Sequence, residues 1–252
     1  MEAMRIPQIQ TVTTFKKDDE ILLSCGRALK QISARLNAKL INLNTPDAAP
    51  PEAPRALIQG KDSIASISLN RFEITVRPPE HVQNDLPSCL DFTRLRVEPL
   101  MVELLKEVES YLWLGLIVKF QHKLAENNPA VTVVQPIFDK LINVKRGKRD
   151  LASFQMQFGF AEGGLFKNYI VAGYEVRNIK VPPGLPIGAS FQVNPKNIPI
   201  AESGLEISID VNNRPNSGKG QFAADFKSLL EIQSEEHKAF LTLLNIKEIL
   251  HD

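Results

Sequence analysis

The chain has 252 residues, of which 43% are hydrophobic and 23% are charged, and its formal net charge is +1. This composition is typical of a globular protein, and the charge balance excludes a global attraction to nucleic acid or to an anionic membrane. The two cysteines, Cys25 and Cys89, lie far apart without metal-ligand neighbours, which excludes a disulfide framework or a zinc site.

The N-terminal residues and the longest apolar run indicate where the protein is expected to be located. Residues 1–6 lack the charged and then apolar layout of a signal peptide. The longest apolar run, at 111–118, is too short to span a bilayer. We therefore expect a cytoplasmic protein without a membrane partner, and no sequence pattern indicates a cofactor or a metal ion.

A long amphipathic helix is predicted over residues 18–43, within an N-terminal helical segment at 1–45. Its apolar residues recur three and four positions apart. Two interpretations remain open: the helix packs on the body of the protein, or it pairs with a second copy in a homodimer. The interface of that homodimer would consist of Leu22, Leu29, Ile32, Leu36 and Leu43.

A proline-rich linker is predicted at residues 46–56. Four prolines occur among the eleven residues from Thr45 to Arg55. Proline restricts the backbone and lacks the N–H that helices and sheet ladders need. This stretch is the expected boundary between the N-terminal segment and a body at 57–252.

The body is predicted to alternate strands and helices. Strands are indicated by apolar alternation at 65–69, 72–76, 114–120, 153–160, 166–176, 190–193 and 204–213. Helices are indicated at 97–108, from Pro136 onward, and at 222–244. The fold class is therefore α+β, with antiparallel sheet and helices on one face. Two similar halves, 57–145 and 146–252, are a further prediction.

Three segments carry a resemblance to a known family. They are the strand at 69–76, the strand at 114–120 after a helix, and the strand at 204–211 before a helix with His237 and Phe240. Their order resembles a sporadically distributed bacterial family of unknown function, over residues 57–244. The chain departs from the family at residues 116–118, where the family has an arginine–tyrosine step, and at Ser208, where it has an aspartate. The resemblance implies no activity, but the family's distribution implies accessory genes such as defence or toxin-neutralising systems.

Two candidate sites can be weighed from the residues. Clustered cations at Lys145, Arg146, Lys148 and Arg149 can bind phosphates, although a solvated turn without aromatic neighbours is the other interpretation. We assign no catalytic residue, because no nucleophile, base and orienting acid occur in a recognisable pattern.

The second candidate is acidic. Glu206 and Asp210 share one face of a strand, where paired carboxylates can act as acid and base, although the polar outer face of a half-exposed strand explains them better. His237 is a third candidate for such a site. His122, at the end of an element, is predicted at the surface. Cys89 is predicted in a polar loop, where it could be a reactive thiol, although no neighbour in the sequence would lower its pKa.

The leading hypothesis is a non-catalytic intracellular interaction or regulatory protein that binds a protein partner. One alternative is a nucleic-acid-binding protein that uses the basic turn at 145–149. The other is an uncharacterised enzyme with an acidic site near Asp210.

Overall fold

The computed structural model describes residues 4–35, 38–108, 111–142, 151–178, 198–216, 218 and 221–246. Nine strands form one antiparallel sheet. The strands are β1 (Arg5–Phe15), β2 (Lys39–Asn42), β3 (Ala56–Gln59), β4 (Ser63–Ile67), β5 (Arg71–Val76), β6 (Tyr111–Ala125), β7 (Gln155–Glu162), β8 (Leu165–Arg177) and β9 (Ile200–Asn212). The helices are α1 (Ile21–Arg35), α2 (Leu86–Leu105), α3 (Ala130–Val133), α4 (Gln135–Leu141) and α5 (Phe222–Leu244). The predicted class of helices with a large antiparallel sheet is confirmed.

The sheet order is β2-β3-β4-β5-β1-β6-β9-β8-β7. Apolar alternation explains one buried side of this sheet: Ile74, Leu116 and Ile209 are fully buried. The long helix α5 lies on that side, where the side chain of Gln233 donates to the carbonyls of Leu116 and Ile209 at 2.9 Å each. The helix α2 contacts β1 and β5 next to it. The core therefore lies between the sheet and its helices.

The N-terminal part of the chain differs from the prediction. Residues 5–15 form a strand, β1, in the middle of the sheet, and the helix that follows ends at residue 35. The predicted helix over 18–43 is wrong at both ends, because residues 39–42 pair with β3 instead of continuing the helix. Residues 5–15 and 39–42 thus belong to the sheet, so the predicted N-terminal helical segment at 1–45 is not a separate unit.

Two residues of the predicted homodimer interface lie in the core of a single chain. Leu29 and Ile32 are 3% and 5% exposed within a single chain, where they belong to the core. Leu22 packs partly against the same core, Leu43 follows β2, and Leu36 lies outside the described residues. Leu29 and Ile32 are therefore covered within a single chain and are not available to a second copy.

The proline-rich stretch at 46–56 connects two paired strands. β2 before it and β3 after it are antiparallel neighbours, so it is a hairpin loop and not a boundary between units. Arg55 is 7% exposed, and its guanidinium donates to the carbonyls of Thr45, Pro46 and Ala49 at 3.0, 2.9 and 3.4 Å. These bonds fold the loop onto its own base.

Replacing Arg55 with alanine is expected to lower the free energy of unfolding by about 2 kcal/mol, because loop carbonyls lose a charged donor. Urea unfolding followed by circular dichroism measures the change. The matched control is Arg94→Ala, since Arg94 lies on an exposed helix face and pairs only with Asp91 and Glu98. That variant should leave the midpoint nearly unchanged, and equal effects of the two variants would contradict the role given to Arg55.

The order of elements recurs along the chain. The series from β1 to α2 consists of a strand, a helix, a run of hairpin strands and a second helix. A similar series runs from β6 to α5, with α3 and α4 in the place of the first helix. β1 and β6 are central neighbours, and each pairs outward with the last strand of its own series, β5 or β9. Among the described residues the repeated order of elements therefore runs from β1 to α2 and from β6 to α5, which differs from the predicted division into 57–145 and 146–252.

Candidate functional site

Among the described strands, β7 is the last of the sheet and pairs with β8 alone. The two strands are joined by Gly163 and Gly164, whose φ angles of 58° and 78° suit a two-residue turn of the type that needs two positive φ angles. In such a hairpin the residues next to the turn, Glu162 and Leu165, form a hydrogen-bonded pair. Every second residue of β7, counted from Glu162, therefore bonds to β8.

The other residues of β7 direct their peptide groups away from the sheet. Because the pattern alternates, the outward N–H and C=O groups belong to Gln155, Gln157, Gly159 and Ala161. Within the ranges that the structure describes, no strand pairs with this side of β7. These outward N–H and C=O groups form a row of donors and acceptors with which another strand can pair.

The free edge of β7 lacks the usual protection. Natural edge strands avoid unwanted pairing by being short or by carrying charges or proline. At the opposite end of the sheet β2 follows this rule, with four residues and Lys39. By contrast β7 has eight residues, is exposed over most of its length, and carries no charge before Glu162. Its exposed edge is therefore suited to strand pairing.

An aromatic cluster lies beside this edge on the helix side of the sheet. Phe158 meets Phe240 of α5 edge-to-face at 6.0 Å between ring centroids, and Tyr169 stacks on Phe240 at 4.1 Å. Phe160 meets the edge of Tyr169 at 5.7 Å and is itself 43% exposed. Leu243, further along α5, is 65% exposed. Large apolar side chains thus remain uncovered next to the open strand.

A groove of about 460 Å³ separates β7 from the last two turns of α5. Its apolar wall consists of Phe160, Ala161, Ala239, Phe240 and Leu243. The uncovered apolar surface is therefore concave and continuous with the peptide groups of the edge. We call the outward face of β7 together with this groove the β7 edge site.

A polar clamp fixes the back of the β7 edge site. The hydroxyl of Tyr169 donates to Glu236 Oε1 at 2.6 Å, and Lys167 Nζ lies 3.0 Å from Glu236 Oε2 and 2.8 Å from Glu162 Oε2. Lys167 and Glu236 are both mostly buried. These contacts join α5 to β8 beside the groove.

The clamp residues are not set up for proton transfer. Burial and the hydrogen bond to Glu236 raise the pKa of Tyr169. Burial opposes the charge of Lys167, but its bonds to Glu162 and Glu236 prevail and raise its pKa. Both groups stay protonated at neutral pH, whereas a general base needs a pKa near the operating pH. Tyr169 and Lys167 therefore act here as hydrogen-bond and ion-pair partners of the carboxylates.

The sheet separates the acidic candidates from His237. Glu206 accepts from Gln121 Nε2 at 2.7 Å, and Asp210 accepts from Asn168 Nδ2 at 3.2 Å, both on the side away from α5. Burial raises the pKa of Asp210, against hydrogen bonds from Asn212 and Asn168 that lower it. His237 lies on the other side, stacked on Phe120. The three residues therefore do not form one site.

The predictions for His122 and Cys89 are corrected. His122 is on the helix side of β6, and its Nε2 atom lies 3.1 Å from Nε2 of His237. Sequence spacing could not show this contact, because the two histidines lie on elements that are distant in the chain. Cys89 is fully buried in α2 and not in a polar loop. Burial raises the pKa of its thiol to about 12, so it is an unreactive core group.

The side of the sheet away from α5 is polar and charge-balanced. Arg5 pairs with Glu202 at 3.0 Å, and Lys119 pairs with Glu206 at 3.6 Å. Arg71 pairs with Glu73. In these three pairs each cation is matched by a carboxylate, so the pairs add no net positive charge to this face. The basic residues Lys145, Arg146, Lys148 and Arg149 lie outside the described residues.

A second cleft, of about 430 Å³, lies between α2 and the β3–β4 turn. Arg96 contributes to its wall, but its guanidinium pairs with Asp62 at 3.4 Å and covers the ring of Phe92 at 3.8 Å. The cleft also holds Lys61 and Glu103, so its charges are balanced. It offers no group whose charge or hydrogen bonding selects a ligand class.

A metal centre and a membrane-spanning helix are both absent from the described part of the chain. Across those ranges no three His, Cys, Asp or Glu side chains are grouped closely enough to hold a metal ion. Among the helices of the same ranges, none combines the length and the apolar character needed to cross a membrane.

Comparison with known proteins does not give a family. No protein-family model matches the chain, and no curated protein matches it. A solved structure named "Structure of crystal form III of TP0453" aligns with 79% of this chain and 90% of its own, at 9% sequence identity and a TM-score of 0.14. A TM-score this low does not establish a shared fold, so the function has to be argued from the site.

Proposed function

We propose that this protein is a non-catalytic binding protein whose protein partner adds an extended strand to the β7 edge site. One observation carries the proposal: outward peptide groups at Gln155, Gln157, Gly159 and Ala161 lie beside exposed Phe160 and Leu243. In strand addition the main-chain hydrogen bonds supply affinity, and pockets for alternate side chains supply specificity. The edge of β7 supplies the main-chain hydrogen-bonding groups, and the groove supplies a pocket for a side chain.

The groove also predicts the character of the partner segment. Lys167 pairs with both Glu162 and Glu236, so the cation is matched and the three side chains carry one negative charge in excess. A partner strand would therefore direct an apolar residue toward Phe160 and Leu243 and would not place an acidic residue there. Narrower predictions, namely a cytoplasmic location and a role in a bacterial defence or toxin-neutralising system, stay predictions. Neither nucleic-acid binding nor catalysis is favoured by a described contact.

The proposal predicts a site-specific cross-link in cells. A photo-crosslinking amino acid at Gln157 is expected to trap a discrete protein species, because Gln157 is exposed on the edge. The same group at Lys227, exposed on α5, is the position control. The Gln157 cross-link should be lost in Ala161→Pro, which removes an outward N–H, and retained in Ala161→Ser, which keeps it.

Thermal unfolding of each variant separates lost binding from lost folding. Cross-linking that is equally strong at Gln157 and Lys227 would contradict the β7 edge site as the binding surface. So would a Gln157 cross-link that persists in a folded Ala161→Pro variant.

A further inference from the structure

We infer that the strand bound at the β7 edge site is β7 of a second copy, so that two chains form a dimer about a twofold axis at Phe158. This inference rests on the proposed function and names its partner. The alternation of outward peptide groups permits it, since an antiparallel pair needs the same groups from both strands.

The register follows from the outward residues. With the axis at Phe158, Gln157 faces Gly159 of the second copy, and Gln155 faces Ala161 of the second copy. All of these residues direct both peptide groups outward. The twofold axis repeats both pairs, and each facing pair exchanges two hydrogen bonds. The whole outward row of β7 is therefore satisfied by its own copy.

Side chains on the helix side agree with this register. Phe158 lies opposite Phe158 of the second copy, and Met156 lies opposite Phe160 of the second copy. These positions have no backbone bonds between the copies, so their side chains approach most closely, and aromatic pairs there are favourable. Phe160, which is 43% exposed in the single chain, gains a cover.

Charges also agree with a second copy. Residues 155–161 are uncharged, so no like charges meet between the two strands. The one charged residue of β7, Glu162, falls opposite Phe154 of the second copy, beyond the paired row. The paired row, residues 155–161, therefore carries no charge that would repel its own copy.

Other registers are less complete. Moving one strand by a single residue sets outward peptide groups of one copy against inward groups of the other. Moving by two residues puts Met156 opposite Glu162 or leaves part of the row without a partner. The central register therefore has the most bonds and the fewest mismatches.

The pairing closes on itself. Both β7 edges are used, and the joined sheet ends at β2 in each copy, a strand of four residues with Lys39. A twofold contact of this kind stops at a dimer and does not propagate into fibres. The long uncharged edge, which is an aggregation hazard in a single chain, is covered.

The test is the mass of the purified full chain in solution, by light scattering over a dilution series. A dimer of the 28.1 kDa chain is expected. In Gln157→Pro two outward N–H groups are lost per dimer, and the dissociation constant should weaken by at least about thirtyfold. Gln157→Ala keeps the backbone groups and should remain a dimer.

A disulfide tests the register. In the proposed pairing, residues 157 and 159 of opposite copies face each other within the range that a disulfide spans, whereas the two residues 157 lie diagonally and further apart. The double variant Gln157→Cys with Gly159→Cys should form a covalent dimer under mild oxidation, and Gln157→Cys alone should not. The natural cysteines, Cys25 and Cys89, are buried and leave this readout clear.

The outcomes separate the inference from the proposed function. A monomer at every concentration, together with a cellular cross-link from Gln157 to a different protein, overturns the second copy and leaves the proposed function standing. A dimer that survives Gln157→Pro, or one without the double-cysteine link, overturns β7 pairing in this register. A monomer without any cellular cross-link overturns both.

Discussion

Replacing Gly204 with alanine should lower the free energy of unfolding by more than about 3 kcal/mol. Losses this large come from only a few mechanisms, of which a steric clash in a packed core is one. Gly204 lies in β9 opposite Lys123 of β6, next to a register shift between Lys123 and Ala125. A Cβ atom there would overlap the carbonyl oxygen of His122 and lie 2.9 Å from Cε1 of Tyr174. The carbonyl oxygen of His122 belongs to the backbone and cannot rotate away, so β6 and β9 would have to separate.

The matched control is Gly26→Ala in the helix α1. Nothing lies within 4 Å of the position that its Cβ would take. Since glycine inside a helix costs about 1 kcal/mol relative to alanine, this variant should be more stable than the original chain. Urea unfolding of both variants then gives shifts of opposite sign for the same chemical change. A Gly204→Ala variant with an unchanged midpoint would contradict the close approach of β6 and β9.

The sequence predicted the strands where side chains alternate cleanly. The hairpin at 65–76, the strand at 114–120 and the strand at 204–213 are present as β4–β5, β6 and β9, although β6 is longer than predicted. The closing helix at 222–244 is also present. In these segments one side is apolar and meets the core, so the local pattern and the packing agree.

The missed strand β1 shows where that agreement ends. It faces the core with Thr11 and Thr13, which are 1% and 0% exposed, beside Ile9. Threonine favours strands but is polar, so the apolar alternation disappears in the sequence. Pro7 interrupts the pattern further. The burial of these threonines comes from β5 and β6 on either side, which no local pattern can show.

The end of α1 was missed for a related reason. Leu36, Leu40 and Leu43 continue the helical spacing beyond residue 35, yet Leu40 instead pairs with Ile58 in the sheet. A leucine every three or four residues suits a helix, and the same residues also fit a short strand. Pairing with β3 decides between them, and it depends on a strand sixteen or more residues away in the sequence.

The candidate site could be predicted only in part. Apolar alternation at 154–160 and the two glycines of the turn correctly indicated β7 and β8. Nothing in those residues indicates that β7 is the last strand, because sheet order is a property of the whole fold. The exposure of Phe160 and Leu243 depends on that order. The strand at 190–193 lies outside the described residues and stays a prediction.

Acidification should destabilise the protein through His237. Burial, followed by the charges of His122 and Lys238, lowers the pKa of His237 from 6.5 to about 3. The His237 ring is 6% exposed, stacks on Phe120 at 4.0 Å, and meets Nε2 of His122 at 3.1 Å. A proton on His237 would therefore be placed beside an aromatic ring and a second imidazole, without a carboxylate in these contacts to balance it.

The direction of the pH effect on stability follows from the number of protons that the folded and unfolded chains bind. Between about pH 3 and pH 6.5 the unfolded chain binds a proton at residue 237 that the folded chain does not, so the free energy of unfolding rises with pH over that window. The contribution is complete above the unfolded pKa and is lost as pH falls toward the folded one. Near pH 5 the loss should be about 2 kcal/mol relative to pH 7.5, since each unit of pKa difference corresponds to about 1.4 kcal/mol.

Other groups also titrate over this range, so the contribution of His237 has to be isolated by difference. His237→Gln keeps a side chain that can hydrogen-bond His122 but cannot be protonated there, and its stability should fall less on acidification, by about the 2 kcal/mol assigned to the imidazole. His81→Gln, at an exposed residue, is the matched control and should keep the pH dependence of the original chain. Urea unfolding at the two pH values measures all three. If His237→Gln and His81→Gln lose stability equally, the buried imidazole is not the source of acid sensitivity, and the contact between His122 and His237 has no energetic role in this window.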